Sequence, residues 1–312
     1  MNESLPEVLN TSEHPYGYRF DWVARLREAL EGAANGRPCY ELTSVDVTQA
    51  MDCPGLWAAK QEVATGDGQS SSPSQQMLLT RQMARMWGRD AANRGTRPFQ
   101  FVEDSLNDPF WMTERQSAWV AAQSFDERIE LVGEISAVLC RLQDQIPFRD
   151  PSADVYVGLK WPEVEVGCRT LVADDFEVGR LTLVSDDVDF RVRTCEIDGE
   201  GAWARTVLLA LVPEKPTQAD LERLGFSAAM HTISTNCPPA RVAAYGLLDG
   251  KLISLDVDAE WIGLQIGCIM ATLRIIYRIQ TGEEPPLTPG TYCANCPARR
   301  DCPFSRIGLE EF

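Results

Sequence analysis

Three cysteines spaced C-x2-C-x5-C (Cys293, Cys296 and Cys302) fall within TYCANCPARRDCPFS, and a fourth, Cys53, stands roughly 240 residues upstream in VTQAMDCPGLWAAK. One distant thiolate and a compact trio can close a four-cysteine metal site that ties the two ends of a fold together. Four thiolates suit either zinc or an iron–sulfur cluster. Zinc ribbons usually bring two CxxC pairs, and this chain has a single pair; a one-plus-three arrangement suits the larger iron–sulfur cubane. The competing reading, ordinary buried or reactive thiols, explains poorly why three cysteines crowd into ten residues after Pro-Pro-Leu-Thr-Pro-Gly. A disulfide framework is unexpected at this length, and the acidic, polar start MNESLPEVLN does not read as a secretory signal. Cys39, Cys140, Cys168, Cys195, Cys237 and Cys268 lie singly in mostly apolar surroundings. They read as small hydrophobes, reduced in a cytoplasm.

With 312 residues, 44% of them hydrophobic, the chain can bury a full core. Its longest apolar stretch, Trp261 to Tyr277, is interrupted by Gln265 and Arg274 and reads as a buried helix rather than a membrane span. A net charge of −17 repels nucleic acid unless positive charge is gathered in one place. One stretch qualifies: between 71 and 100, Arg81, Arg85, Arg89, Arg94 and Arg97 face only Asp90. Arg81, Arg85 and Arg89 recur every four residues, hence on one helix face. That stripe either tracks phosphates or forms salt bridges to the acidic remainder. The only histidines are His14 and His231, so histidine-based metal sites and Ser-His or Cys-His catalysis are poorly supported.

Four segments follow from the patterning. Residues 1–40 read as a polar leader and an amphipathic helix ended by Gly36. Residues 41–150 form a helical region: a strand or turn, a helix capped by Ser44 and carrying Cys53, a loop over 66–76, the arginine-striped helix, and helices from Thr113 and Phe125. Residues 151–285 switch to strand alternation in DVYVGLKW, EVEVGCRTLVA, GRLTLVS, VDFRVRTCEI and WARTVLLALVP. A helix capped by Thr217, a hairpin turning at Asp249-Gly250, and a last long helix from Asp258 complete this part. Residues 286–312 are a cysteine cap. The order predicts an α/β fold with a mixed central β-sheet flanked by helices.

This layout resembles the RecB-like branch of the PD-(D/E)XK nucleases, and within it the iron–sulfur group of CRISPR-associated RecB-like exonucleases and AddB-type nuclease domains. The likeness spans about residues 40 to 306 and is carried by SVDVTQAMDCPGLW at the front and PPLTPGTYCANCPARRDC at the back. It implies a PD-(D/E)XK-like core and a [4Fe–4S] cluster on Cys53, Cys293, Cys296 and Cys302.

The family's hydrolysis needs an Asp on one strand and a D/E-x-K pair on the next, which hold Mg²⁺ or Mn²⁺. This chain has four lysines, and only Asp249-Gly250-Lys251 fits the spacing, on a hairpin tip. Aligned on the family, the triplet falls on Ala210, Leu211 and Val212. The family's QxxxY pair falls on Arg223 and Ser227, and its histidine near Ala92. Asp189, or Asp187, is the sole candidate for the first Asp, and a lone Asp on a strand is more often structural. Glu214–Lys215, or Glu196 with Asp198, could substitute only through a shifted strand register. Mg²⁺ and Mn²⁺ are therefore not expected. The expectation is a non-catalytic, cluster-bearing subunit of a DNA-processing, repair or antiviral-defence complex. It would touch DNA through Arg81, Arg85 and Arg89 or through a protein partner, and no membrane. The alternatives are an active metal-dependent DNA nuclease with a migrated ligand set, and an acidic adaptor that contacts proteins only.

Overall fold

A computed structural model describes residues 21–34, 40–64, 74–94, 97–145, 153–157, 164–169, 178–185, 187–198, 201–300 and 302–304. The fold is mixed α/β and mostly helical. Helix α1 (Asp21–Ala34) is followed by strand β1 (Tyr40–Thr43) and two short helices, α2 (Ser44–Asp52) and α3 (Pro54–Ala64). Thr43, not Ser44, caps α2, because its hydroxyl and Asp46 form a reciprocal capping box: the Thr43 amide donates to Asp46 and the Asp46 amide to Thr43. Ser44 is the first helical residue. Cys53 also departs from expectation, since it lies between two helices and not inside one. Its backbone is extended (φ −155°, ψ 111°) because the following Pro54 disfavours helical geometry at its predecessor and itself suits the first position of α3.

Helices α4 (Gln75–Arg94), α5 (Pro98–Asn107), α6 (Glu114–Ala121) and α7 (Phe125–Gln145) come next. The predicted Thr113–Gln116 capping box opens α6. Helix α5 is an addition to the expected elements; its signal is Pro98 at the first turn and an apolar face of Phe101, Val102 and Leu106.

All five expected central strands form: β2 (Ala153–Val157), β3 (Val164–Arg169), β4 (Val178–Val184), β5 (Phe190–Asp198) and β6 (Gly201–Val212). Helix α8 (Gln218–Thr235) starts at Thr217, boxed with Asp220. Strands β7 (Arg241–Gly246) and β8 (Leu252–Asp256) precede α9 (Ala259–Gln280), whose cap Asp258 accepts the Trp261 amide at 2.7 Å. Among the described residues the strands form two sheets, ordered β1-β4-β3 and β2-β5-β6-β7-β8. The β7–β8 hairpin is present, but its last paired residues are Tyr245 and Leu252, so the connection exceeds the two residues expected. Asp249 accepts the Lys251 amide at 3.0 Å and Gly250 takes a left-handed φ of 66°, which builds a longer turn.

Strand β6 pairs antiparallel with β5 and parallel with β7, the parallel partner being reached through α8. Alternation along β6 divides the interior. Leu208 and Ala210 join α1, α2, α8 and α9 in one apolar cluster, while Leu209 and Leu211 join α4, α5 and α7 in another. Burial on both faces explains the continuous apolar run VLLALV. Helix α9 is long and apolar enough to cross a membrane by length and composition, yet Ile262, Ile266, Ile269, Leu273 and Ile276 form a stripe buried in the first cluster. Gly36 and the 66–73 loop lie outside the described residues, as does most of the polar leader.

Candidate functional site

A cavity of about 260 Å³ lies between α3 and the segment that follows α9, and Cys53, Cys293, Cys296 and Cys302 all line it. Gly55, Leu56, Leu287 and Phe304 supply apolar walls. Each cysteine is delivered by a local device. The break at Pro54 places Cys53 at the start of α3, 7% exposed. Two 3-10 turns, Thr291–Asn295 and Pro297–Arg300, carry or flank the trio, with the Cys293 amide bonded to Gly290 O and the Cys302 amide to Ala298 O, both at 3.0 Å. Backbone amides point at sulfur: Thr288 N–H donates to Cys53 Sγ at 3.5 Å, and Gly290 N–H to Cys293 Sγ at 3.4 Å.

The thiols also sense one another. Burial first, then the neighbouring Cys302, Cys53 and Cys293 sulfurs, push the Cys296 thiol above its ordinary value, against a lowering contact from the Ala298 backbone. The seven described cysteines whose side chains are placed are all free of disulfides. Among the described residues, no three His, Cys, Asp or Glu side chains stand close enough to grip a single ion.

Tyr292, which sequence reasoning missed, latches the cap. Its hydroxyl lies 2.6 Å from Asp52 O and 2.8 Å from Thr288 O, joining the residue before Cys53 to the cysteine segment. Gly55 permits the closure, since a Cβ there would sit 2.3 Å from Leu287 Cδ2. Nothing in the sequence marks Tyr292 apart from its place beside Cys293.

The second constellation surrounds Asp189, which is completely buried just ahead of β5. Arg81 grips it with two bonds, Nε to Oδ1 at 2.8 Å and Nη2 to Oδ2 at 3.0 Å, and Arg85 Nε also donates to Oδ1. The Leu211 amide donates to Oδ2 at 2.6 Å, so the carboxylate continues the β5–β6 ladder where the strand carbonyls stop. Two of the three striped arginines are thus engaged with an acid of the protein itself. Arg89 stands on the same helix, and its side chain lies outside the described residues. Asp187 is half-buried and accepts from the Ser185 hydroxyl at 3.3 Å.

The positions aligned with the family's second motif are apolar: beside Asp189, Ala210 is 7% and Leu211 2% exposed, and Val212 is half-buried. Ser227 is buried and shares a 2.7 Å hydroxyl–hydroxyl bond with Ser185, while Arg223 lies at the surface against Asp220. Glu214 and Lys215 are exposed at the bend after β6, and Asp249 with Lys251 occupies the hairpin turn. The side chains of Ala92, Glu196 and Asp198 lie outside the described residues.

Of the six lone cysteines, Cys140 is exposed on α7, contrary to the expectation of an apolar setting, because it falls on the helix face opposite Leu139 and Leu142. Cys237 and Cys268 are half-buried, Cys39 lies outside the described residues, and so do the side chains of Cys168 and Cys195.

No family model and no curated protein matches the chain. Among solved structures, it is similar to one described as "Crystal structure of SSO0001", at 10% identity over 91% of this chain and 96% of that one. The TM-score is 0.32, too low to carry an argument about fold or chemistry.

Proposed function

We propose that this protein is a non-catalytic, [4Fe–4S]-bearing relative of the RecB-like nucleases, acting as a subunit or accessory factor in a DNA-processing, repair or antiviral-defence complex of the cytoplasm. The observation that carries this reading is the single cavity lined by Cys53, Cys293, Cys296 and Cys302, residues from opposite ends of the chain. Four thiols around one space, with amides aimed at two of the sulfurs, fit the ligand chemistry of a cubane. When bound, the cluster supplies cross-linking between the α3 end and the C-terminal cap; the chain's own residues hold the sulfurs, shield them with Leu56 and Leu287, and latch the cap through Tyr292.

The non-catalytic part of the reading rests on Asp189. Both of its oxygens are committed to guanidinium or amide donors, and its strand neighbours Ala210 and Leu211 offer no charge to a hard cation. A PD-(D/E)XK-like ancestry accounts for a buried acid at that strand position. The engagement of Arg81 and Arg85 with Asp189 favours contact with nucleic acid through a partner, and gives the protein-only adaptor reading its one specific support.

Protein purified without oxygen should be brown and carry about four irons and four sulfides per chain. An equimolar content of zinc, or no metal at all, overturns the cluster. Incubation with single- and double-stranded DNA and Mg²⁺ or Mn²⁺ should leave the DNA intact; degradation abolished by Asp189→Asn overturns the non-catalytic assignment. Weak DNA binding without a steep salt slope separates a partner-mediated role from a phosphate-tracking stripe.

A further inference from the structure

Helices α5 and α7 pack together and leave a surface groove of about 280 Å³ along their outer side. Phe99 and Leu106 line it from α5, and Phe125, Ile129 and Val132 from α7. Phe99, Phe125 and Ile129 are 57%, 77% and 56% exposed. The α7 members recur at intervals of four and three, so they form one face of the helix. Further along the helix the same face turns into the core: Val132 packs against the second cluster, and Ser136 and Leu139 are buried. The first two turns of α7 therefore leave Phe125 and Ile129 facing water beside Phe99 of α5, an apolar patch of the kind that marks an interaction surface.

The surroundings specify what fits. Residues 97–134 contain eight acids and three arginines. Glu103 lies in the groove, and Asp104, Asp126, Glu127 and Glu130 are exposed on the same two helices. Glu127 is held below its ordinary value by the Ser124 amide and hydroxyl and so stays charged. Arg128, the cation in the groove, donates to Asn107 Oδ1 at 3.1 Å. A second copy of the chain, with its net charge of −17, would bring like charge to this acidic rim.

We propose that the α5–α7 groove docks an amphipathic helix of a partner protein, apolar on one face and flanked by lysine or arginine. The groove goes beyond the cysteine-cavity reading and uses none of its residues, so either can fail without the other. The test titrates the full-length chain with a labelled helical peptide bearing leucines at i, i+3, i+4 and i+7 and lysines between them. Saturable binding is expected. Phe99→Glu and Ile129→Glu should each weaken it about tenfold or more, although each adds a negative charge that attracts lysine. Leu264→Glu, at an exposed apolar position on α9, should leave it unchanged. A peptide of equal composition with scattered leucines should bind at least about tenfold more weakly. Equal affinity for the scattered peptide, or unchanged affinity in both groove variants, reduces the effect to charge attraction and overturns the proposal. Light scattering that finds a dimer dissociated by Ile129→Glu overturns it as well, by making a second copy the occupant.

Discussion

Among the described residues, Asp189 is the acid buried completely. Removing a carboxylate from water costs several kcal/mol unless charge and hydrogen bonds replace the lost solvation. Here Arg81, Arg85 and the Leu211 amide supply that replacement. The arginine side chains are about one-third exposed, so solvent screens part of the attraction. Asp189→Asn should therefore lower unfolding stability by about 2–3 kcal/mol, read from urea midpoints, with Arg81→Met costing less because Arg85 remains. An unchanged midpoint would show that the carboxylate is not a structural anchor. At this scale the sequence nominated the acid and the arginine stripe separately. Their meeting was not legible, because more than 100 residues separate them and dozens of other acids could have answered the stripe.

At the level of elements, local signals did most of the work where a helix begins. Thr113, Thr217 and Asp258 cap helices at the positions expected, because a capping side chain satisfies amides within its own turn. The same chemistry misled at α2, where adjacent Thr43 and Ser44 compete and Asp46 selects the first. Helix α8 shows what packing adds: sandwiched between β6 and α9, it buries an almost unbroken run from Leu224 to Ile233. His231 lies in that run, and burial first, then the charge of Arg191, push its pKa down to about 4. The unfolded chain takes up this proton near pH 6.5, the folded chain only near pH 4. His231 thus costs no stability above pH 6.5, and stability falls progressively between pH 6.5 and 4, by about 3 kcal/mol at the lower end. Comparing urea midpoints at about pH 7 and pH 4.5 should show a smaller drop in His231→Gln than in the parent chain. Equal drops in the two proteins would mean that His231 titrates normally.

Across the whole molecule, two apolar clusters share the five-stranded sheet, and each draws on helices from before residue 150 as well as on the strands after it. The N-terminal helices are therefore built into the core alongside the central strands. The cysteine cavity adds a closure between α3 and the cap beyond α9, supported by the Tyr292 latch and the fit of Leu287 against Gly55. Ligation and folding are coupled, so if the proposed cluster is bound here, Cys296→Ser should bleach its brown colour and loosen that closure. Limited proteolysis should then cut between Gln280 and Thr291 well before the sheet core is attacked. A variant with unchanged absorbance and an equally resistant cap would contradict a cluster at this site. The chain's own order of residues was enough to determine its α/β class, most element starts, and the apolar faces of α9 and β6, since these rest on periodicity and capping. Only the tertiary structure decided that Arg81 and Arg85 close on Asp189, that Tyr292 bridges to Asp52, and that Phe99, Phe125 and Ile129 are left facing water in one groove. Each of those depends on which surfaces meet once the chain is compact, and contacts between distant residues leave no periodic trace along it.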